Sequence, residues 1–450
     1  MLIPPGIGSY KRADLPQVIL RNLYIEKTPL KPTETVFLPR AALTPYQMVG
    51  AGPSRGIFQK QGLAGGATFA VSGGALYNGA SSIGTISGTV SVAMAAALNV
   101  LLIANGTGLY TSDGATVTPV AFPDGAGVVD VAYIGGYSIA ARAGSRHIYF
   151  TLDPSTWDGL DFISAEQGTD NLVGFSIVAG QLWVFCENHT EIFATTGDAD
   201  APLQAVEGRV FDKGALTRDS IINLDNTVFW VGNDGIVYRG AGAPQRVSDH
   251  GIEERIASSA ASEINAWTFP WIGHVFYALH TADGTFAYDV ATQQWCELAS
   301  YGRPKWRARQ GQLIGRDVIA GDDETGQLWK LTDGVYQDDD APIQREFTCI
   351  INDNGFIDNI TLDCSTGQRP TPNDAPGLLE MRTSRDGGMT WRDWRDCGLG
   401  AQGKYRTRAG FNRVGLVDQG NMTIQFRLTD PVPSSVRYIK INESGAGRSR

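Results

Sequence analysis

The sequence predicts an all-β protein: a six- or seven-bladed β-propeller with an extended N-terminal arm and a C-terminal β-sandwich-like domain. Three observations carry this. Glycine makes up 54 of 450 residues, about 12% against roughly 7% in an average chain. Charged residues are 19% and hydrophobic residues 42%, so a packed core is expected and a disordered chain or coiled coil is not. Most tellingly, an apolar run, a Gly/Asp/Asn turn and a short run ending in an aromatic residue recur along the middle of the chain.

The length alone allows two or three domains and needs no disulfide or metal to hold a core. Residues 1–50 carry Pro4, Pro5, Pro16, Pro29, Pro32, Pro39 and Pro45. That density disfavours helices and central strands, so an extended arm is expected, with one strand over Val18–Ile25. Residues 51–340 form the expected propeller. Its aromatic marks are Leu76-Tyr77, Leu109-Tyr110, Ile148-Tyr149, Ile192-Phe193, Val237-Tyr238, Phe286 to Tyr288 and Leu328-Trp329. They recur every 33 to 50 residues or so, a spacing typical of blades. Each copy reads as two antiparallel strands that cannot bury both faces alone, and radial stacking covers them. Glu253–Trp267 is the expected helix, with Ser248 or Asp249 as its cap. Residues 341–442 form the expected sandwich, with strands at Leu378–Thr383, Tyr405–Phe411 and Met422–Leu428 and a Pro/polar loop over Ser365–Pro376. Residues 443–450 read as a mobile tail.

Charge and ends narrow the function. There are 47 acidic against 37 basic residues, a net charge of −10, which argues against a general nucleic-acid binder. No signal sequence is recognisable at the start, and Val90–Ala104 is too short and broken for a membrane span. Cys186, Cys296, Cys349, Cys364 and Cys397 are expected as reduced, buried thiols of a cytoplasmic product. The five histidines show no zinc-like spacing, and His274 and His280 read as ordinary strand residues, so neither metal nor cofactor is expected.

Three motifs remain. Ser384-Arg385-Asp386-Gly387-Gly388-Met389-Thr390-Trp391 resembles the Asp-box of sialidases. Its reading is structural: Asp386 accepts turn amides, Gly388 takes positive φ, and Thr390 and Trp391 complete the hairpin, with Trp391 packing beneath it. A glycan-cleaving or glycan-binding propeller is the alternative this motif raises, yet no carboxylate pair, nucleophile elbow or phosphate loop stands out. Asp338-Asp339-Asp340 is read as a solvated linker turn rather than a cation site. Lastly, Arg382, Arg385, Arg392, Arg395, Lys404, Arg406, Arg408 and Arg413 interleave with Trp391, Trp394, Tyr405 and Phe411. A DNA-binding clamp is one reading of this cluster. The preferred one is a subunit interface through Arg382, Trp394, Tyr405, Arg406, Arg408 and Arg413, because arginine with aromatics is the usual make-up of interface centres.

The ordered set Met381, Arg385-Asp386-Gly387-Gly388, Thr390-Trp391, Leu399-Gly400, Gly403 to Arg408, Arg413 to Gly415, Phe426-Arg427-Leu428 and Asp430-Pro431-Val432 resembles the tail nozzle proteins of short-tailed bacteriophages, also called packaged DNA stabilisation or tail hub proteins. Arg21 to Glu26, Gly273 to Tyr277, Asp289 to Trp295, Gly326 to Trp329 and Pro342-Ile343 resemble segments of the same family, and Leu38 to Ala42 stands where that family has an R-P-G-like stretch. The resemblance implies a non-enzymatic virion protein assembled in the host cytoplasm. It implies a homo-oligomeric ring, six copies in this family, that extends the tail adaptor channel, retains packaged DNA and docks the tail needle or fibres. The acidic balance then suits a lumen that DNA passes without sticking.

Overall fold

The computed structural model describes residues 2–3, 10, 18–27, 35–368, 376–417 and 422–442. The expected tail 443–450 and most of the Pro/polar loop lie outside them. Among the described residues the regular structure is nearly all β-strand, with one α-helix, and no helix there is long and apolar enough to cross a membrane.

Among the described residues, seven four-stranded antiparallel units follow one another. Six begin at Ser54–Gln59, Ala93–Ala97, Val128–Ile134, Leu172–Val178, Ile222–Leu224 and Asn265–Trp271. The seventh joins Ala308–Ile314, Asp317–Asp322 and Gln327–Thr332 to the N-terminal strand Ala42–Met48. The first strand of each unit packs on that of the next, and the seventh returns to the first, so the ring closes. The closing contact is tight: a Cβ on Gly326 would lie 2.1 Å from the Val49 carbonyl oxygen, and the Val49 N–H donates to the Gly326 carbonyl at 2.7 Å.

The second strand of each unit is its buried spine, as in Leu101–Ala104 and Val228–Val231. The recurring aromatic sits one strand further out and packs within and between neighbouring sheets. Tyr149 of the third unit meets Phe122, which follows the second unit, at 5.1 Å between centroids. Tyr288 of the sixth meets Phe229 of the fifth at 5.9 Å. Each such burial contributes about 1.5–3 kcal/mol, which explains why the mark repeats.

The described strands of the N-terminal segment are divided between two bodies. Ala42–Met48 belongs to the ring, while Leu20–Arg21, Leu23–Lys27 and Thr35–Pro39 belong to the sandwich. The expected single strand over Val18–Ile25 is broken at Asn22, which takes φ 57°, a left-handed conformation that asparagine tolerates better than most residues. The break moves the chain from one sheet to the other. Leu20–Arg21 lies parallel to Gln294–Leu298, the outer strand of the sixth unit, and antiparallel to Arg345–Ile351. One nine-stranded sheet therefore runs from the propeller through Leu20–Arg21 into Arg345–Ile351, Met422–Leu428, Leu378–Ser384 and Arg395–Gly398. The facing sheet contains Leu23–Lys27, Thr35–Pro39, Val436–Ile441, Gly355–Cys364 and Ala409–Val417. Between them Phe37, Phe347, Phe426 and Phe411 pack in sequence, with ring centroids 5.6, 5.0 and 6.3 Å apart.

The helix is shorter than expected. It spans His250–Ala257 with Asp249 as N-cap, its carboxylate accepting the Ile252 N–H at 3.0 Å. Ser258, Ser259 and Ala260 end it, a short 3-10 turn follows, and Asn265–Trp271 is the first strand of the sixth unit. Trp267 lies in the core beside Trp306, so tertiary burial overrides the helical pattern there.

Candidate interface site

The nine-stranded sheet carries a charged row. Registered neighbours across five strands are Glu297, Arg21, Glu346, Arg427 and Glu380, alternating in sign. Arg21 bonds Glu297 at 2.9 Å and Glu346 at 3.0 Å, and Arg427 grips Glu380 with two bonds of 2.7 and 2.8 Å. Opposite charges directly across strands favour this register and disfavour slipped ones. The Arg427 guanidinium rises above its ordinary range, chiefly through its bond to Glu380.

Arginine and tryptophan stack at the end of the row. The Arg382 guanidinium lies 4.4 Å from the centre of Trp391 and 4.5 Å from that of Trp394, and Arg427 lies 4.1 Å from Trp394 on the same ladder. Arg382 also donates to Gln425 Oε1 at 2.8 Å. Both indoles are half-buried. Trp391 thus packs on a guanidinium from the strand that leads into its turn.

The other expected interface residues lie elsewhere. Tyr405 is 64% exposed. With Arg406 and Arg408 it lines a shallow groove shared with Tyr438 and Lys440 of the facing sheet. Arg413 is exposed at a bulge, with φ 53°. Its carbonyl accepts from Arg395, which also bonds the Asn412 carbonyl at 2.6 Å. The linear cluster is therefore three surfaces. Arg427, Glu380, Glu346 and Arg21 escaped the sequence reading as members of one face. The alternation Thr423, Gln425, Arg427 between apolar neighbours was the signal available for it.

Side-chain bonds to Asp386 close the turn after Leu378–Ser384. Asp386 accepts Ser384 Oγ at 2.6 Å, the Thr390 N–H at 2.8 Å and Thr390 Oγ1 at 2.5 Å, while Gly388 takes φ 98°. These bonds hold its carboxyl well below the usual range, the Ser384 hydroxyl contributing most.

Asp338 is not part of a solvated turn. It is buried, with Arg40, where the sandwich meets the ring. Arg40 gives it two bonds, of 2.9 and 2.5 Å, and Asp338 Oδ1 accepts the Leu43 N–H at 2.9 Å. Asn22 Oδ1 accepts Arg40 Nε at 2.8 Å and the Ala299 N–H at 2.9 Å, tying three chain segments together. His274, read as an ordinary strand residue, also spans the junction: Nδ1 faces Asp289 at 2.8 Å and Nε2 faces Glu26 at 3.1 Å. Its ring is raised, first by the bond to Asp289. His280 is buried within the sixth unit, which pushes it down to about 3.

Arg218 crosses the middle of the ring. It reaches Asp219 at 2.8 Å, Asp130 at 3.4 Å and the Val92 carbonyl at 3.4 Å. Burial pushes the Asp130 carboxyl up against the pull of Arg218. Cavities of about 200 and 490 Å³, both bounded by Arg218, lie among the innermost strands.

Fold and site together define a β-propeller scaffold joined to a sandwich that carries an arginine–tryptophan stack. The family described as "Bacteriophage P22 Gp10, beta-propeller" matches residues 1–336. The chain belongs to this family, the tail nozzle or DNA-stabilisation proteins of short-tailed phages, and is a structural protein of a phage tail. No curated protein matches it. Among solved structures it is similar to virginiamycin B lyase from Staphylococcus aureus, at 9% identity and TM-score 0.45 over 64% of this chain and 98% of that one. It is also similar to the extracellular domain of a putative one component system from B. thetaiotaomicron, at 11% identity and TM-score 0.45 over 92% and 61%. YCF48 from Cyanidioschyzon merolae matches at 14% identity and TM-score 0.41 over 65% and 98%.

Proposed function

We propose that six copies of this chain close into a ring that extends the tail adaptor channel, retains packaged DNA and docks the tail needle or fibres. Assembly takes place in the host cytoplasm, and the chain performs no catalysis. The carrying observation is the blocked axis of the propeller. Arg218 spans it, and the cavities beside it are about 200 and 490 Å³. A duplex whose grooves alone are about 6 and 12 Å wide does not fit through. A DNA path must therefore run between copies rather than through each one. Arg382 with Trp394, the Tyr405, Arg406 and Arg408 groove, and Arg413 are the surfaces proposed to meet neighbouring subunits, because stacked arginine and aromatic residues make strong interface centres. The bonded state of Asp386 supports a structural part for the Asp-box and leaves the glycan-cleaving reading without a proton carrier there.

Electron microscopy of the parent particle tests the ring directly. The expected result is a sixfold ring on the distal tail with the lumen between copies; a single copy on the axis would overturn it. An acidic lumen wall further predicts no detectable duplex binding by the isolated chain at about 0.15 M salt, where non-specific binders show roughly 10⁻⁴–10⁻⁶ M affinity. Micromolar binding lost on Arg406→Ala and Arg408→Ala would favour the clamp instead.

A further inference from the structure

The fourth propeller unit holds metal-donor side chains for which the tail function has no use. Cys186 ends the strand Gln181–Cys186, His189 follows in the turn before Thr190–Thr195, and Asp170 comes from the segment ahead of Leu172–Val178. One donor atom from each lies within 4.8 Å of the others. His189 Nδ1 faces Asp170 Oδ1 at 2.8 Å, and Nε2 faces Glu191 Oε1 at 3.0 Å.

The surroundings fix these groups in place. Glu191 is 1% exposed, and its Oε1 also accepts the Gln167 N–H at 3.0 Å. Asp170 Oδ2 accepts the Asn188 N–H at 2.6 Å. A Cβ on Gly168 would lie 2.4 Å from both Asp170 Oδ1 and His189 Cε1, so only glycine leaves this space open. Cys186 is fully buried, and among the described residues its thiol has no hydrogen-bond partner.

We propose that Asp170, Cys186 and His189 bind one divalent cation of the zinc class. Thiolate, imidazole and carboxylate together select zinc over magnesium or calcium, which prefer all-oxygen sites. His189 Nδ1 is the nitrogen placed to bind, because Nε2–H then donates to Glu191. A carboxylate that accepts from the other ring nitrogen orients metal-bound histidines generally. Binding requires a thiolate and a bare Nδ1, so it releases protons. Three protein ligands leave the fourth tetrahedral position to water. The histidine pattern alone shows no such site, because Cys186 and His189 are only three residues apart and Asp170 arrives from another segment.

The test uses the purified full chain, loaded with zinc and dialysed, then with cobalt in its place. The expected result is one zinc retained per chain and a sulfur-to-cobalt charge-transfer absorption. Cys186→Ser should abolish that absorption, and Glu191→Gln should weaken zinc binding by about 10–100-fold. A wild-type chain that retains no zinc and shows no cobalt–thiolate absorption overturns the proposal and leaves His189 as a hydrogen-bonded link between Asp170 and Glu191. Should Cys186→Ser fail to fold, Asp170→Asn, at a partly exposed position, decides: zinc affinity equal to wild type would equally overturn the site.

Discussion

Removing the Asp338 carboxylate tests how the propeller is joined to the sandwich. In Asp338→Ala, Arg40 stays buried, at 6% exposure, and loses both of its bonds to a carboxylate. It keeps Asn22 Oδ1 and the Ala41 and Ala299 carbonyls, none of which carries charge. An uncompensated buried charge costs about 3–5 kcal/mol. The orphaned Leu43 N–H adds about 1–3 kcal/mol unless water reaches it. The expected loss is therefore about 4–8 kcal/mol, concentrated at the junction. Replacing both partners with apolar residues, as in Arg40→Met with Asp338→Leu, should recover most of it, because pairs of this kind are often near neutral to replace. Denaturant melts of Arg40→Met, Asp338→Leu and the double complete the cycle, with hydrogen exchange at Asn22, Leu43 and Ala299 locating the opening. A melt unchanged by Asp338→Ala, or a double variant as unstable as the summed singles, would refute the argument.

Three further outcomes are expected. His274 is raised by Asp289 and Glu26. Its stabilising contribution should be full below about pH 6.5, the unperturbed value, and be lost as pH rises through the higher folded value. The stability gap between wild type and His274→Gln should accordingly narrow on going alkaline, and a gap that widens would contradict the geometry. Trp394→Ala removes the ring between Arg382 and Arg427 and should cost the isolated chain about 1–2 kcal/mol, from two stacks of about 0.5–1 kcal/mol each; a larger loss in assembly than in melting would place this face at a subunit contact. Gly326→Ala drives a methyl into the Val49 carbonyl and should destabilise ring closure by about 1–3 kcal/mol, seen as faster hydrogen exchange across Ala42–Met48.

Turn chemistry and strand alternation were readable without coordinates because they are local. The repeat from Tyr77 to Trp329, the Asp386 turn and the N-cap at Asp249 depend on neighbours only a few residues away. The helix end was misjudged at Ser258 to Trp267 because the burial of Trp267 beside Trp306 is a long-range fact. Asp338 was misread for the same reason: its partner Arg40 is 298 residues away.

Composition and repeat spacing by themselves determined an all-β propeller followed by a sandwich, since a strand–turn–strand unit with one apolar face has few ways to cover itself. Only the tertiary structure decided how the ends are used. Strand pairing satisfies backbone groups whatever the side chains, so no local pattern tells which edge an N-terminal strand will fill. The structure sends Ala42–Met48 to close the ring, turns the chain at Asn22, and runs one sheet from the sixth unit into the sandwich. It also parts the linear Arg/Trp cluster into three surfaces, because residues alternate across a strand and hairpins fold them onto different faces.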